Sequence, residues 1–195
     1  MIASLYEPFK HWSDGGSIYL ISDPHFEDTD TNFMNPNWIE PNDHLAKINA
    51  KILKNDTVVC LGDCGNLDYF KKMKSGKKIL IKGNHDDKGN SHYLKIFDEV
   101  YSGPLFITDK ILLSHEPIFG LPFCCNIHGH VHGGDHEYYD ATGARHINIA
   151  SDVVDYNVFN LGDMIKSGIA AIPNIHRVTI NRATEYKIIR EGKKE

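Results

Sequence analysis

The sequence is poor in cysteine and contains no CxxC pair. Its four cysteines lie at positions 60, 64, 124 and 125, a spacing that indicates neither a disulfide framework nor a thiolate zinc site. The N-terminus lacks a basic region that leads into an apolar one, so we expect no secretion signal. We therefore expect free, partly buried thiols and a reducing, cytoplasmic location.

Long apolar runs and an excess of positive charge are also absent. No apolar run reaches the roughly 18 residues that a membrane-spanning helix needs. The 21 Lys and Arg residues against 26 Asp and Glu residues give a formal net charge of −5, and a field of that sign does not attract a polyanion. We expect no membrane partner and no extended nucleic acid as partner, although a local positive site stays open.

The rest of the composition is that of a globular protein. Hydrophobic residues make up 41% of the 195 positions and charged residues 24%. No internal repeat or linker divides the chain. This length favours one domain over residues 1–195, with a full hydrophobic core.

The order of the apolar runs predicts an α/β (α+β) protein. Runs typical of strands occupy residues 17–22, 57–61, 78–82, 100–101, 105–108, 111–114, 125–128 and 145–150. Periodicity and end signals predict helices at residues 42–55, 67–74, 91–97 and 161–167. The first half is therefore β-α-β-α-β with a parallel sheet, the second half is richer in strands, and one or two packed sheets are expected. The tail, residues 174–195, stays open between helix, strand and frayed end.

Histidine is abundant, with 12 residues, and polar residues follow five of the predicted strands. Ligands of open α/β sheets bind at the carboxyl ends of strands. A lone Asp or His at a strand end is more typical of a turn, but the repetition at successive strand ends predicts one shared site. The candidate ligands are Asp23, His25, Asp63, Asn84, His115, His130 and His132.

The chemistry of these residues predicts a site for two metal ions. Their oxygen and nitrogen donors suit Mn, Fe, Co, Ni or Zn, whereas calcium prefers oxygen ligands alone. Seven ligands are too many for one ion. Two ions that share one bridging carboxylate would accommodate them.

The ordered motifs resemble those of the calcineurin-like metallophosphoesterase superfamily, in its small bacterial or phage-type members. The matching blocks are Asp23-x-His25, Gly62-Asp63, Gly83-Asn84-His85-Asp86, His115 and Gly129-His130-Val131-His132. Residues 148–157 also look like the strand and loop that close the core of small members. The resemblance implies two facing β-sheets that form a sandwich flanked by helices, with a binuclear metal site at the carboxyl ends of the strands.

The resemblance also implies a role for each residue. One ion would be held by Asp23, His25, Asp63 and His132. The other would be held by Asp63, Asn84, His115 and His130, so that Asp63 bridges. His85 resembles the catalytic histidine that faces the scissile phosphate, with Asp86 beside it as the orienting carboxylate. Mn²⁺ is the expected metal, and Fe, Ni, Co or Zn also suit the ligands.

The expected function is metal-dependent hydrolysis of a small phosphodiester or phosphomonoester by a metal-bridging hydroxide. Two divalent ions, two carboxylates and this hydroxide leave a net charge of about +1, which attracts a phosphate ester. Two alternatives stay open: a non-catalytic metal-binding scaffold of the same fold, and a nuclease that acts on short single strands. The sequence does not define the oligomeric state or the role of residues 26–40. In that loop, packing is the expected role of Phe26, Phe33 and Trp38, rather than a stacking wall for substrate.

Overall fold

Two five-stranded sheets dominate the computed structural model, which describes residues 5–169. The first sheet contains strands β1 (Ile18–Ile21), β2 (Thr57–Cys60), β3 (Lys77–Ile81), β4 (Glu99–Tyr101) and β10 (Phe159–Asn160). Their order is β10-β1-β2-β3-β4. Strands β1 to β4 are parallel, and β10 joins the edge antiparallel to β1. The predicted β-α-β-α-β half with its parallel sheet is thus confirmed.

The second sheet is mixed. It contains β5 (Leu105–Thr108), β6 (Ile111–Leu113), β7 (Cys125–His128), β8 (Glu137–Tyr139) and β9 (Arg145–Asn148) in the order β5-β6-β7-β9-β8. The pairs β6–β7 and β7–β9 are parallel, while β5–β6 and β8–β9 are antiparallel. The turn at Asp109 and Lys110 joins β5 to β6 as a hairpin, as its two-residue length predicts.

Alternation along the strands of the first sheet divides the core into two layers. Successive side chains of a strand point to opposite faces, so Leu20 and Val59 pack between the two sheets, where Ile111 and Ile127 of the second sheet meet them. Val58 on the opposite face belongs to a separate cluster under the helices. Strand β2 is therefore covered on both faces, and all four of its residues are buried. A strand in this position needs apolar side chains on both faces.

Short helices flank the sandwich. They are α1 (Thr31–Met34), α2 (Pro41–Lys51), α3 (Asp68–Lys71), α4 (Asn90–Tyr93) and α5 (Leu161–Lys166), with a 3₁₀ helix at Glu7–Ser13. Helix α2 begins and ends earlier than predicted, because Pro41 supplies its first turn and Ile52 takes an extended conformation. The 3₁₀ helix, α1, β8 and β10 were not predicted. The predicted tail at 174–195 lies outside the described residues.

The topology brings strand ends from both sheets to one edge. Strands β1, β2 and β3 are parallel, so their carboxyl ends lie together. A bridge between Ser22, just after β1, and Ala150, just after β9, joins the sheets at this edge. Ser151 strengthens the join, since its Oγ donates a hydrogen bond to the Ser22 carbonyl at 2.6 Å. No helix within residues 5–169 is long and apolar enough to cross a membrane.

Candidate metal centre

Several of the predicted ligands occupy an unusual backbone conformation. Asp23, His25, Asp63 and His130 have positive φ angles of 52°, 39°, 52° and 67°. A non-glycine residue in this left-handed region costs about 1–3 kcal/mol, and such residues concentrate at functional sites. The loops after β1, β2 and β7 therefore hold these side chains in directions that a relaxed turn would not give.

Two glycines bring backbone directly against the carboxylates of the site. A Cβ on Gly129 would fall within 3.0 Å of Asp23 Oδ2, and a Cβ on Gly83 would do the same to Asp63 Oδ1. The backbone amide of His130 donates to both oxygens of Asp23, at 3.1 and 3.0 Å. Asp23 and Asp63 are therefore packed in place by glycine as well as by hydrogen bonds.

Six of the seven predicted ligands form two groups of potential metal ligands. In the first group, ligand atoms of Asp23, His25 and His132 lie within 4.8 Å of one another. In the second group, Asp63, His115 and His130 meet the same condition. The seventh residue, Asn84, joins the second group, because its Oδ1 lies 2.8 Å from His115 Nε2 and 3.0 Å from His130 Nδ1.

Asp63 lies between the two groups. Its Oδ2 is 3.6 Å from His25 Nε2 in the first group and 3.3 Å from His115 Nε2 in the second. A single carboxylate thus faces one imidazole of each group. This is the arrangement that a residue shared by two ions requires.

The donor atoms fit divalent metal ions. His25 is 1% exposed, and its Nε2 atom is buried with no hydrogen-bond partner among the described residues. The Asp28 carboxylate, 3.0 Å from Nδ1, fixes the ring proton on that nitrogen, so Nε2 presents a lone pair to the site. A buried nitrogen lone pair beside carboxylates is unfavourable unless it binds a cation.

Comparison with known proteins agrees with this geometry. The sequence model for calcineurin-like phosphoesterase matches residues 16–161, well over half of the chain. The chain belongs to the calcineurin-like phosphoesterase family. Members of this family typically bind two divalent metal ions, and the structure contains two groups of candidate ligands.

Solved structures include similar members. A protein of unknown function, AQ665 from Aquifex aeolicus, is 26% identical with a TM-score of 0.60, over 77% of this chain and 98% of its own. The nuclease MPE from Pseudomonas putida is 25% identical with a TM-score of 0.41, over 59% of this chain and 60% of its own. Vps29 from Entamoeba histolytica, as a single mutant, is 17% identical with a TM-score of 0.41, over 67% and 72%. None of the curated proteins compared with the chain matches it.

The electrostatics of this site favour the binding of a cation. Burial raises the pKa of Asp23. Burial also acts to raise the pKa of Asp63, but the hydrogen bond and the charge of His115 outweigh this effect, so the pKa of Asp63 is lowered. Burial alone would lower the pKa of His115, yet Asp63 and Asp23 raise it to about 9. The two buried carboxylates therefore create a strong attraction for a cation in their midst.

Two carboxylates support the histidines of the first group, and the sequence had not indicated either. Asp28 contacts His25 Nδ1 at 3.0 Å, and Asp152 contacts His132 Nδ1 at 2.7 Å. Asp152 raises the pKa of His132 against the effect of burial. Asp152 follows His132 by 20 residues and no local motif links them, although it falls in the segment 148–157 that the resemblance had marked.

His85 and Asp86 lie beside the two groups in different environments. His85 is exposed, and its ring centre lies 5.3 Å from that of His25. Asp86 is 5% exposed and accepts hydrogen bonds from three backbone amides, those of Asp63, Cys64 and Gly83. Among the described residues it makes no hydrogen bond to the His85 ring, so its predicted orienting role is corrected: Asp86 organises the loops after β2 and β3.

The three aromatic residues of the loop 26–40 that the sequence singled out lie in three different environments. Phe26 is 1% exposed and stacks on Tyr69, which confirms the expected packing. Phe33 is 90% exposed, so packing was the wrong expectation there. Trp38 packs against the site itself, with its ring 5.8 Å from His25 and 5.7 Å from His132. The loop therefore forms one wall of the first ligand group.

Proposed function

We propose that the chain is a phosphoester hydrolase whose substrate is a small phosphodiester or phosphomonoester. The observation that carries the proposal is the position of Asp63 between two groups of candidate metal ligands. Family membership supports phosphoester hydrolysis in general. Eight of the nine residues that the sequence singled out would take part in the reaction, and the ninth, Asp86, would position the loops that carry them.

The metal ligands divide into two sets that share Asp63. Asp23, His25, Asp63 and His132 would hold one ion. Asp63, Asn84, His115 and His130 would hold the other. We expect Mn²⁺, with Fe, Ni, Co or Zn as compatible metals, because imidazole, carboxylate and amide donors suit all of them. When bound, such a pair supplies an activated water and neutralises charge on the phosphoryl oxygens.

The protein itself would orient the ester and handle the leaving-group proton. His85 is exposed at the centre, and its backbone amide donates to Asp63 Oδ1 at 2.9 Å, which fixes the loop that carries it. A ring N–H of His85 would donate to the leaving oxygen or stabilise its developing charge near neutral pH. Asp86 would act indirectly: it would hold the backbone amides around Asp63 in place without contacting the substrate.

The surroundings of the centre favour a small substrate. Two divalent ions and two carboxylates would leave a net charge of about +2, which attracts a phosphate ester. The net charge of −5 over the chain disfavours a long polyanion.

The two alternatives are less well supported. A non-catalytic scaffold would be expected to have lost metal ligands or His85, and this chain retains all eight positions. A nuclease on short single strands would be expected to have a basic stripe, against which the overall negative charge argues.

Hydrolysis assays with Mn²⁺-loaded protein test the proposal. The substrates are an aryl phosphodiester, an aryl phosphomonoester and a short oligonucleotide. We expect turnover of at least one aryl ester, and His85→Ala should lower it by about 100- to 10,000-fold with metal content unchanged. Asp63→Ala should lose metal, while His92→Ala, at an exposed histidine of α4, should behave as wild type.

Three outcomes would contradict parts of this proposal. Absence of turnover on every ester by metal-loaded protein would favour the scaffold. Activity confined to the oligonucleotide, with a steep dependence on salt, would favour the nuclease. Loss of metal in His85→Ala would show that His85 is a ligand rather than a catalytic residue.

A further inference from the structure

The Asp152 carboxylate contacts both the ring of His132 and the chain beside it. Its Oδ1 lies 2.7 Å from His132 Nδ1, and its Oδ2 accepts a hydrogen bond from the backbone amide of Gly133 at 3.0 Å. The Asp152 side chain is only 1% exposed. Both oxygens of this buried carboxylate therefore have partners on the loop that carries His132.

This contact defines which ring nitrogen of His132 faces the metal centre. A carboxylate beside Nδ1 keeps the ring proton on that atom. The lone pair then lies on Nε2, which is 3.8 Å from Asp23 Oδ1. A carboxylate behind a histidine ligand also raises the basicity of the opposite nitrogen and fixes the plane of the ring.

The position of Asp152 is itself coupled to Asp23. The neighbouring residue Ser151 donates its hydroxyl hydrogen bond to the Ser22 carbonyl, immediately before Asp23. Both residues of this bond are buried. The loop after β9 thus holds Asp152 in register with the end of β1, so the His132 ring is aimed at the carboxylate that shares its ion.

The two ligand groups differ in the hydrogen-bond partners of their histidine Nδ1 atoms. In the first group, His25 has Asp28 behind it at 3.0 Å, as His132 has Asp152. In the second group, His115 Nδ1 faces the neutral carbonyl oxygen of Leu61 at 2.8 Å. The hydrogen-bond partner of His115 Nδ1 is therefore a neutral carbonyl rather than a carboxylate, and the Asp23 Oδ1 atom lies 3.9 Å from the same nitrogen.

We propose that Asp152 is the positioning residue for His132 and sets the affinity of the first ion position, with Asp28 in the same role for His25. The inference rests on the proposed function only in that the two groups hold metal ions. It concerns metal binding, so its test does not require turnover.

Titration calorimetry with Mn²⁺ tests the proposal in a His130→Ala background, which disables the second group and leaves the first. There Asp152→Asn should weaken Mn²⁺ binding by about 10- to 100-fold. Asp152→Glu, which keeps the carboxylate, should recover part of that loss. In a His132→Ala background, which isolates the second group, Asp152→Asn should leave the affinity within about threefold.

A structural aspartate provides the matched control. Asp56 is 6% exposed and accepts hydrogen bonds from the backbone amides of Ser17 and Leu53, at 2.8 and 2.7 Å. Asp56→Asn should lower the Tm of the metal-free protein, as Asp152→Asn should, but it should not change the affinity for Mn²⁺. An affinity change of the same size in both variants would overturn the proposal.

The remaining outcomes are also decisive. Wild-type affinity in Asp152→Asn would overturn the role of Asp152 even if the protein hydrolyses esters. If Asp152→Asn does not fold, Asp28→Asn replaces it, since the Asp28 side chain is 21% exposed; unchanged Mn²⁺ affinity in that variant would overturn the proposal. Weakened binding in a protein that hydrolyses no ester would support this inference and refute the proposed function.

Discussion

Gly129→Ala should disable the first ligand group by steric displacement alone. A Cβ at this position would lie 2.8 Å from Ser22 Cβ and closer still to Ser22 Oγ and Asp23 Oδ2, whereas ordinary contact begins at 3.4 Å. Gly129 does not have the positive φ that would strain an alanine backbone, so the effect is one of space. Both Ser22 and the Asp23 carboxylate would have to move relative to residue 129, by about 1 Å or more, because the close-packed interior offers no free space.

The expected magnitude follows from that displacement. A misplacement of about 1 Å at a reacting centre costs about 100-fold in rate, and overpacking costs about 1–3 kcal/mol of stability. The hydrogen bonds from the His130 amide to Asp23 would also be lost. We therefore expect turnover about 100-fold lower, together with a weaker first Mn²⁺ site.

Titration calorimetry with Mn²⁺ and hydrolysis of an aryl phosphodiester measure the two effects. The matched control is Gly103→Ala, because a Cβ on Gly103 would meet no atom within 4 Å. This control should bind and turn over as wild type. Binding of two Mn²⁺ ions with wild-type affinity and unchanged activity in Gly129→Ala would contradict this steric displacement.

Two further predictions concern stability and a spectroscopic signal. His44 is buried, and burial, followed by the charge of Lys47, lowers its pKa to about 4. The unfolded chain gains this proton below a pH of about 6.5 while the folded chain does not, so the free energy of unfolding should fall by up to about 3 kcal/mol between pH 6.5 and 4. In His44→Phe, the free energy of unfolding measured with urea should no longer show this fall between pH 6.5 and 4. The same pH dependence in His44→Phe and wild type would show that His44 is not its source. Trp38 lies against His25 and His132, so Co²⁺ binding should quench its fluorescence in Trp12→Phe, where it is the remaining tryptophan; equal quenching in Trp38→Phe would argue against this placement of the indole.

The clustering of the candidate ligands could be predicted from sequence because strand periodicity and strand-end chemistry are local signals. Asp23, Asp63 and Asn84 follow apolar runs that the sheet buries on both faces, and parallel pairing brings such ends together. The hairpin at Asp109 and Lys110 was predictable for the same reason, since two residues between apolar runs leave few other conformations.

The supporting residues could not be predicted in the same way. The loop that brings Asp152 to His132 is joined to the end of β1 by the hydrogen bond from Ser151 to Ser22, a contact between residues 129 positions apart. The orienting role expected of Asp86 failed for a related reason. Adjacency in sequence suggested a bond to His85, but the amides of Asp63, Cys64 and Gly83 surround its carboxylate instead.

Short elements with mixed composition were also missed. Strand β8 (Glu137–Tyr139) carries polar residues, and its residues are exposed or half-buried, so it lacks the apolar alternation that marks a strand. Strand β10 has only two residues and is defined by its pairing with β1. Tertiary pairing, rather than local preference, determines both.

If two ions share Asp63 in one centre, electron paramagnetic resonance of the Mn²⁺-loaded protein should detect them as a pair. Two Mn²⁺ ions that share a carboxylate are exchange-coupled, so the fully loaded protein should give the spectrum of a coupled pair. His130→Ala, which weakens the second group, should give the six-line spectrum of isolated Mn²⁺ instead. A fully loaded wild-type protein that shows only isolated Mn²⁺ would contradict the account.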